Sequence, residues 1–292
     1  MADYNGPYEK TQALYLNNAL VTATAAELNL MDGLTAIIDD DTMATASATT
    51  LATSESIKAY ADSGKHILVQ GEIADVSSAA SSWTISPVAG DIIEAYVVID
   101  GAITAGDASV TFEIATVATT GGVITVANAA SAAGSTFTAT AFTANNTVTA
   151  GQAIEIITDG GSTDAAKGTV VLVIEGVPST PLRYIQGEIA NISAAASSWA
   201  VSPIAGTITN IWTVIDGAIA SVDAGITFEL GGTAVTGGAI TIGYSGSAAG
   251  IVDNSTPTAL NTVTASGAIE IITDGASTNA VKAEVLIEIT PS

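Results

Sequence analysis

The sequence predicts a mainly β protein: two tandem jelly-roll-like β-sandwich domains, preceded by a short α-helical, trimeric N-terminal segment. Three observations lead to this prediction. The chain of 292 residues repeats itself over a long distance, each copy consists of short runs rich in Val, Ile and Thr, and residues 1–65 have a different spacing of apolar residues. Together they place a small helical segment before a duplicated β-domain.

The internal repeat is a duplicated domain. The stretch "QGEIADVSSAASSWTISPVAG" at 70–90 returns as "QGEIANISAAASSWAVSPIAG" at 186–206, with 15 identities in 21 positions. The offset of 116 residues later becomes 115, because "IEIITDGGST" at 154–163 returns as "IEIITDGAST" at 269–278. Solenoid repeats are much shorter, roughly 20–50 residues, so this period indicates two copies of one domain.

Each copy is predicted to form eight short strands in a sandwich. Runs bounded by Gly, Asp-Gly and Asn predict the strands of the first copy over 66–74, 82–88, 91–99, 109–117, 122–127, 135–142, 146–157 and 168–175. Alternation predicts that Phe112 and Ile154 face the core while Glu113 and Glu155 face outward. The predicted domains are 66–176 and 184–292, joined by a stiff linker at 177–183.

The N-terminal segment, residues 1–65, is predicted to anchor and trimerise the chain. Within 26–41, residues Leu28, Met31, Thr35 and Ile38 follow each other at three- and four-residue spacings, which is typical of a coiled-coil seam. A second helix is predicted over 55–63, with Ser54 as its N-cap. Helices this short are marginal alone, so identical chains are expected to pack together. The predicted trimer interface is Leu28, Met31, Leu34, Ile38 and Ile57.

The composition limits the classes of partner. With 6 Lys+Arg against 29 Asp+Glu, the formal net charge is -23, which excludes nucleic acid and disfavours anionic membranes. The mean hydropathy of +0.49 comes from scattered Ala and Val, and no run has the length of a membrane span. The start "MADYNGPYEK" has no secretion signal, so assembly in a host cytoplasm is expected.

Two phrases in the N-terminal segment resemble a known signature. "VTATAAELNLMDG" at 21–33 is followed by "DDDTMATASATTLATSESIKAYADS" at 39–63. This pair is similar to the signature of tailed-phage fibre and virion-appendage proteins, in which "ATAAELNxLDG" precedes "TMATxSATxLATSESIKAYVDS". Met31 stands where Leu or Ile is more usual, and Ala61 stands where Val is commoner. The resemblance covers about a fifth of the chain.

The resemblance implies a homotrimeric virion protein that binds the major capsid protein or another virion protein through its N-terminus. The chain is short and lacks a long shaft, which favours a capsid decoration protein or head fibre. The alternatives are a tail fibre or tail spike that binds host-surface glycans, and a bacterial surface adhesion module. Location in the virion is expected in either phage interpretation.

The acidic residues suggest ligands or catalysts at first sight. Asp100, Asp159, Asp216 and Asp274 each precede Gly, which is the preferred tight-turn dipeptide, although such clusters can also supply calcium ligands. Recurring glutamates could form a glycosidase pair, yet they recur in both copies, which favours solvated strand faces. His66 is the single histidine and there is no cysteine. The sequence therefore predicts no cofactor and no enzymatic activity; it identifies no metal site, and calcium binding stays open.

The tryptophans are candidates for the core or for a surface. Trp83 and Trp199 occupy equivalent positions, each four residues before a proline, and a core position at a sheet corner is predicted for both. Trp212 is matched by Tyr96 in the first copy, and this change of type makes Tyr96 and Trp212 the candidate surface contacts.

Overall fold

The computed structural model describes residues 15–16, 19–20, 35–40, 43–47, 50–57, 66–176 and 183–292. The chain divides into two compact units, Met1–Gly64 and Lys65–Ser292. No helix among these described residues is long and apolar enough to cross a membrane.

The first unit contains short β-strands, one of which lies within the predicted coiled coil at 26–41. Strand β1 (Tyr15–Leu16) pairs antiparallel with β2 (Ala19–Leu20), and β3 (Ala36–Ile38) pairs parallel with β4 (Thr50–Ala52). The prediction of a helix at Ile38 is therefore wrong. Two consecutive isoleucines favour an extended backbone, and β4 supplies the hydrogen-bonding partner that a strand requires.

A helical turn over 54–57 overlaps the start of the second predicted helix, 55–63. The Ser56 backbone N–H donates to Thr53 Oγ1 at 3.1 Å, so Thr53 rather than Ser54 caps the turn. Ile57, a predicted trimer contact, is 52% exposed. Leu28, Met31 and Leu34 lie outside the described residues, and the trimer stays a prediction.

Residues 66–176 form a sandwich of two five-stranded sheets. Its strands are β5 (His66–Ile73), β6 (Ala79–Ile85), β7 (Gly90–Ile99), β8 (Ala108–Ile114), β9 (Val117–Ala118), β10 (Ile124–Val126), β11 (Thr136–Ala139), β12 (Thr147–Val148), β13 (Ala153–Asp159) and β14 (Gly168–Gly176). One sheet has the order β10-β8-β13-β6, with β9 also on β8. The other has the order β11-β7-β14-β5, with β12 also on β7. A single 3₁₀ turn, Asn128–Ala130, interrupts this range.

Residues 183–292 repeat the arrangement strand for strand. The strands are β15 (Arg183–Ile189), β16 (Ala196–Val201), β17 (Gly206–Ile215), β18 (Ala224–Leu230), β19 (Thr233–Ala234), β20 (Ile240–Ile242), β21 (Val252–Ser255), β22 (Thr262–Val263), β23 (Ala268–Thr273) and β24 (Ala283–Pro291). The sheets have the orders β15-β24-β17-β21, with β22 on β17, and β16-β23-β18, with β19 and β20 on β18.

The strand order agrees with the predicted jelly roll. When β9 with β10, and β11 with β12, are each taken as one interrupted strand, a sandwich has eight strand positions. One sheet then takes the first, eighth, third and sixth positions, the other takes the second, seventh, fourth and fifth, and all pairs are antiparallel. This is the double Greek-key order of a jelly roll.

The alternation of side chains is confirmed in the strands that form the core. Val110, Phe112 and Ile114 in β8 are buried, as are Ile154 and Ile156 in β13. In the second copy the same positions fill a separate core around Phe228, which is 1% exposed. Each sandwich therefore has a hydrophobic core of its own.

The repeated phrase at 81–90 and 197–206 forms a strand, a turn and the start of the next strand. Ser86 Oγ donates to the Val88 carbonyl at 2.7 Å, and Ser202 Oγ donates to the Ile204 carbonyl at 2.6 Å. The duplicated serine therefore fixes the same turn in both copies, which explains this part of the repetition as scaffold.

Candidate interaction surfaces

A third hydrophobic cluster joins the two sandwiches. Ile85 on β6 packs with Val214 on β17 and Leu286 on β24, and all three are at most 3% exposed. Half-buried residues complete this intercopy cluster: Trp83, Ala153, Tyr184, Trp212 and Val252. The outer face of one sheet in the first sandwich thus lies against the outer face of a sheet in the second.

Two glycines let the tryptophans of this cluster approach the backbone closely. A Cβ atom on Gly250 would lie 2.5 Å from the Trp83 ring, and a Cβ on Gly151 would lie 2.6 Å from Nε1 of Trp212. Both glycines have positive φ, +80° and +78°, which suits glycine for a second reason. Each tryptophan therefore packs on a turn of the opposite sandwich.

Substitution of Gly250, compared with its counterpart in the first copy, separates the cost of positive φ from the cost of the close contact with Trp83. Its counterpart Gly134 has a similar φ of +85°, but a Cβ there would meet no atom within 4 Å. We expect Gly134→Ala to cost about 1 kcal/mol of unfolding free energy, from φ alone. Gly250→Ala should cost about 1 kcal/mol more, because the methyl group displaces the Trp83 ring. Urea denaturation measures both, and equal costs would contradict the close contact.

Polar contacts flank the cluster along β5 and β15. The Gln70 backbone N–H donates to Gln186 Oε1 at 3.2 Å, and Gln186 Nε2 donates to the Gln70 carbonyl at 2.9 Å. Nearby, Lys282 Nζ lies 3.0 Å from Glu72 of the first sandwich, 3.0 Å from Glu188 and 2.9 Å from Glu284. One ammonium group thus holds three carboxylates from both sandwiches.

The electrostatics of this ionic cluster follow from its composition. Burial lowers the pKa of Lys282, but hydrogen bonding to Glu284 and its charge, followed by Glu188 and Glu72, outweigh burial and raise the pKa above 10.5. For Glu284 burial has the opposite sign: it raises the pKa of this carboxyl group, and the raising effect exceeds the lowering effect of Lys282. With one cation and three anions, the cluster depends on the ammonium group.

Loss of Lys282 should therefore destabilise the second unit. Lys282→Met is expected to cost about 1–2 kcal/mol near neutral pH, below the value for a fully buried pair because the side chain is 25% exposed. The cost should shrink at acid pH, where Glu284 becomes protonated. The counterpart Lys167 is exposed, and Lys167→Met should change stability by less than about 0.5 kcal/mol. Chemical denaturation at two pH values tests this, and equal losses for the two lysines would contradict it.

Tyr184 makes the stability of the second unit sensitive to alkaline pH. Burial, and secondarily the carboxylate of Glu288, raises the pKa of Tyr184 from 10.0 to about 12. The unfolded chain loses this proton first, so the stabilisation is complete below pH 10 and is lost as the pH rises from 10 to about 12. Tyr184→Phe should remove one late step from the tyrosinate absorbance titration. Tyr244→Phe, on the exposed surface, is the control, and an unchanged late step in Tyr184→Phe would contradict the assignment.

The predicted surface contacts lie in different environments. Trp212 is half-buried in the intercopy cluster, whereas Tyr96 lies on the outer face of the first sandwich and donates to Glu94 Oε2 at 2.5 Å.

The core prediction for Trp199 is wrong, because this side chain is 61% exposed. Trp83 also faces away from the core of its own sandwich. In both copies the residue directly after the tryptophan, Thr84 or Ala200, is buried in the sandwich core. Because side chains alternate along a strand, the tryptophan itself points outward.

The aspartates before glycine hold turns together in both copies. Asp159 Oδ1 accepts from the N–H groups of Ser109 and Gly161, each at 2.9 Å, and the following Gly160 has φ +68°. Asp100 Oδ1 accepts from the Lys167 N–H at 2.8 Å, as Asp216 Oδ1 does from Lys282 at 2.9 Å. These contacts support the turn interpretation.

The glutamates pair across strands on the outer sheet face. Glu113 lies opposite Glu155 and Glu229 lies opposite Glu270, each pair on neighbouring antiparallel strands. Within 66–176, 183–292 and the shorter described stretches, no group of three or more acidic or histidine side chains is arranged to hold a metal ion. His66 is exposed at the start of β5.

Comparisons with known proteins give only distant structural similarities. No family model matches the chain, and no curated protein matches it. Three similar solved structures are the major capsid protein P2 from bacteriophage PM2 (11% identity, 76% of this chain and 96% of that chain, TM-score 0.23), the PBSX exported protein XepA (9%, 78% and 87%, 0.24), and PNGase F, a glycosylasparaginase from Flavobacterium meningosepticum (12%, 77% and 97%, 0.24). At these TM-scores no function transfers to the chain.

The same comparisons correct the prediction that the chain is not an enzyme. PNGase F is an enzyme, and it is among the solved structures that match most of the chain. The exclusion of enzymatic activity does not stand, and the similarities establish neither an activity nor its absence.

Proposed function

We propose that the protein is a structural virion protein of a tailed phage, displayed on the capsid as a decoration protein or head fibre. In this proposal the N-terminal segment attaches to the major capsid protein or another virion protein and holds three chains together. Residues 66–292 project into the medium. The proposal rests on the two N-terminal phrases, which resemble those of phage appendage proteins, and on the body that follows them.

The observation that best supports a structural role is the construction of that body. Two jelly rolls with separate cores are fixed to each other by a shared hydrophobic cluster, a glutamine pair and the Lys282 ionic cluster. The first unit ends at Gly64, directly after the second phrase ends at Ser63, and the body follows. An attachment segment followed by a rigid body is the organisation that a displayed protein needs.

The charge supports exposure to the medium. A net charge of -23 keeps an Ala-rich surface soluble and repels other polyanions, including packaged nucleic acid. The alternative, a tail fibre that binds host glycans, would use the same body at a different position on the particle.

Proteomics of purified virions tests the proposal. Particles from a phage that encodes the chain should contain it in many copies and should retain it through density-gradient purification. Antibodies against residues 66–292 should label heads, whereas label confined to tails would favour the fibre alternative. Absence of the chain from washed particles, with abundant chain in the lysate, would contradict a structural virion role.

A further inference from the structure

The second sandwich exposes the apolar side chains that the first sandwich buries between the copies. Trp199 and Val201 on β16 occupy the positions of Trp83 and Ile85 on β6. In the first copy these positions belong to the intercopy cluster, where Ile85 is 2% exposed. In the second copy Trp199 is 61% exposed and Val201 is 59% exposed. We call Trp199 and Val201 the free strand face.

The first sandwich exposes the complementary surface. In the second copy, Tyr184, Trp212, Val214 and Leu286 receive the Trp83 face. Their counterparts in the first copy are Leu68, Tyr96, Val98 and Val171, which we call the free sheet face. Leu68 is 65% exposed, Val98 is 38% exposed, and the other two are half-buried. Every position of this face is again apolar or aromatic.

The contact between the sandwiches is asymmetric, because each sandwich contributes a different face to it. Trp83 packs against Gly250, but the mirrored contact of Trp199 with Gly134 does not exist, because a Cβ on Gly134 would meet no atom within 4 Å. A contact between two different faces is heterologous, and it leaves one face of each kind unused at the ends of the pair. The unused faces are the free strand face and the free sheet face.

We propose that the free strand face of one chain binds the free sheet face of a second copy of this chain, repeating between chains the contact that joins the two sandwiches within one. The occupied version in the same molecule supplies the argument for the occupant, because it shows which surface these side chains pack against. The inference does not depend on where the protein is located, and so it stands or falls separately from the proposed function.

The charges of the two free faces are also complementary. Within the chain, Glu72 of the first sandwich bonds Lys282 of the second across the contact. The counterpart pair is Glu188 of one chain with Lys167 of the next, and Lys167 is exposed. Thr169 stands where the second copy has Glu284, so Lys167 would meet one carboxylate fewer than Lys282 does. The intermolecular contact therefore carries less like-charge repulsion than the internal one.

Cysteine cross-linking tests the pairing directly, because the natural chain contains no cysteine. A full-length chain with Val201→Cys should be co-produced with a longer, tagged full-length chain carrying Val98→Cys. Oxidation should give a covalent product of one tagged and one untagged chain. Either variant produced alone should give no covalent dimer. Val201→Cys with the exposed Val123→Cys is the matched control and should give none either.

Sedimentation of the full chain provides the second measurement. Trp199→Asp with Val201→Asp should weaken chain association by about 30-fold or more, since a buried tryptophan is a typical hot spot. Both side chains are exposed in the single chain, so the unfolding midpoint should not change. Val123→Asp with Val222→Asp, at other exposed sites, should leave association intact.

Several results would overturn the proposal. A chain that stays monomeric at every concentration, or one whose association is unaffected by the aspartates, would show that the free faces do not bind each other. Cross-linking of Val201→Cys to itself would indicate a symmetric contact instead. If the aspartate variant sediments with the same oligomeric mass as the natural chain but no longer binds glycans or the capsid, the free strand face binds a different partner.

Discussion

Replacing Phe112 by alanine is expected to lower the free energy of unfolding of the first sandwich by about 3–5 kcal/mol. Phe112 is fully buried between the two sheets, and its ring centroid lies 6.1 Å from that of Phe142. The substitution removes the largest side chain of that core and leaves a cavity that a closely packed sandwich cannot fill. Urea denaturation followed by circular dichroism measures the loss, with the exposed Val123→Ala as control.

The second copy provides a matched comparison. Phe228 is equally buried, but the counterpart of Phe142 is Pro257, so this core lacks the aromatic pair. Phe228→Ala should therefore cost somewhat less, by about 0.5–1.5 kcal/mol, than Phe112→Ala. A loss below about 1 kcal/mol for both variants would show that these residues do not fill two separate cores.

Replacing Trp83 by alanine is expected to cost about 3 kcal/mol, whereas Trp199→Ala should change stability by less than about 0.5 kcal/mol. The two tryptophans have the same sequence context and the same place in their sandwiches. Trp83 packs on Gly250 within the intercopy cluster, and Trp199 is 61% exposed. The difference between the variants therefore measures the contact between the sandwiches.

Thermal unfolding at low protein concentration, which disfavours contact between the free faces of different chains, is the appropriate measurement. Tryptophan fluorescence adds a structural readout, because Trp199 should be quenched by acrylamide and Trp83 should be protected. Equal destabilisation by the two substitutions would contradict the assignment of Trp83 to an interface that Trp199 lacks.

Much of the β architecture could be predicted from the sequence, because each strand is patterned locally. In β8 the alternation of Val110, Phe112 and Ile114 with outward residues specifies which face is buried. Turn residues such as Asp159-Gly160 mark the strand ends, and the duplication doubles the signal. Eight strand positions of this kind leave few architectures besides a sandwich.

The contact between the sandwiches could not be predicted in the same way. Trp83 and Trp199 carry closely similar local patterns, so nothing within either copy distinguishes the covered face from the exposed one. The sequence feature that indicates this contact is a set of differences between the copies. Tyr184 replaces Leu68, Trp212 replaces Tyr96 and Glu284 replaces Thr169, and all three lie on one sheet of the second sandwich. Such concentrated differences indicate a surface whose environment has changed.

The N-terminal prediction failed at Ile38 for a different reason. A spacing of three and four residues is compatible with a helix, but it extends over too few turns to outweigh the extended preference of Ile37 and Ile38. The strand at Ala36–Ile38 forms by pairing with Thr50–Ala52, which lies well beyond the next helical turn. The local spacing of apolar residues carries no information about such a distant partner.

The most direct test of the central claim is cryo-electron microscopy of purified virions from a phage that encodes this chain. The proposal predicts density on the outer capsid surface that fits two jelly rolls joined through the Trp83 cluster, with the N-terminal segment contacting the shell. Density of this shape only at the tail, or no such density on a particle whose genome encodes the chain, would contradict a capsid decoration protein.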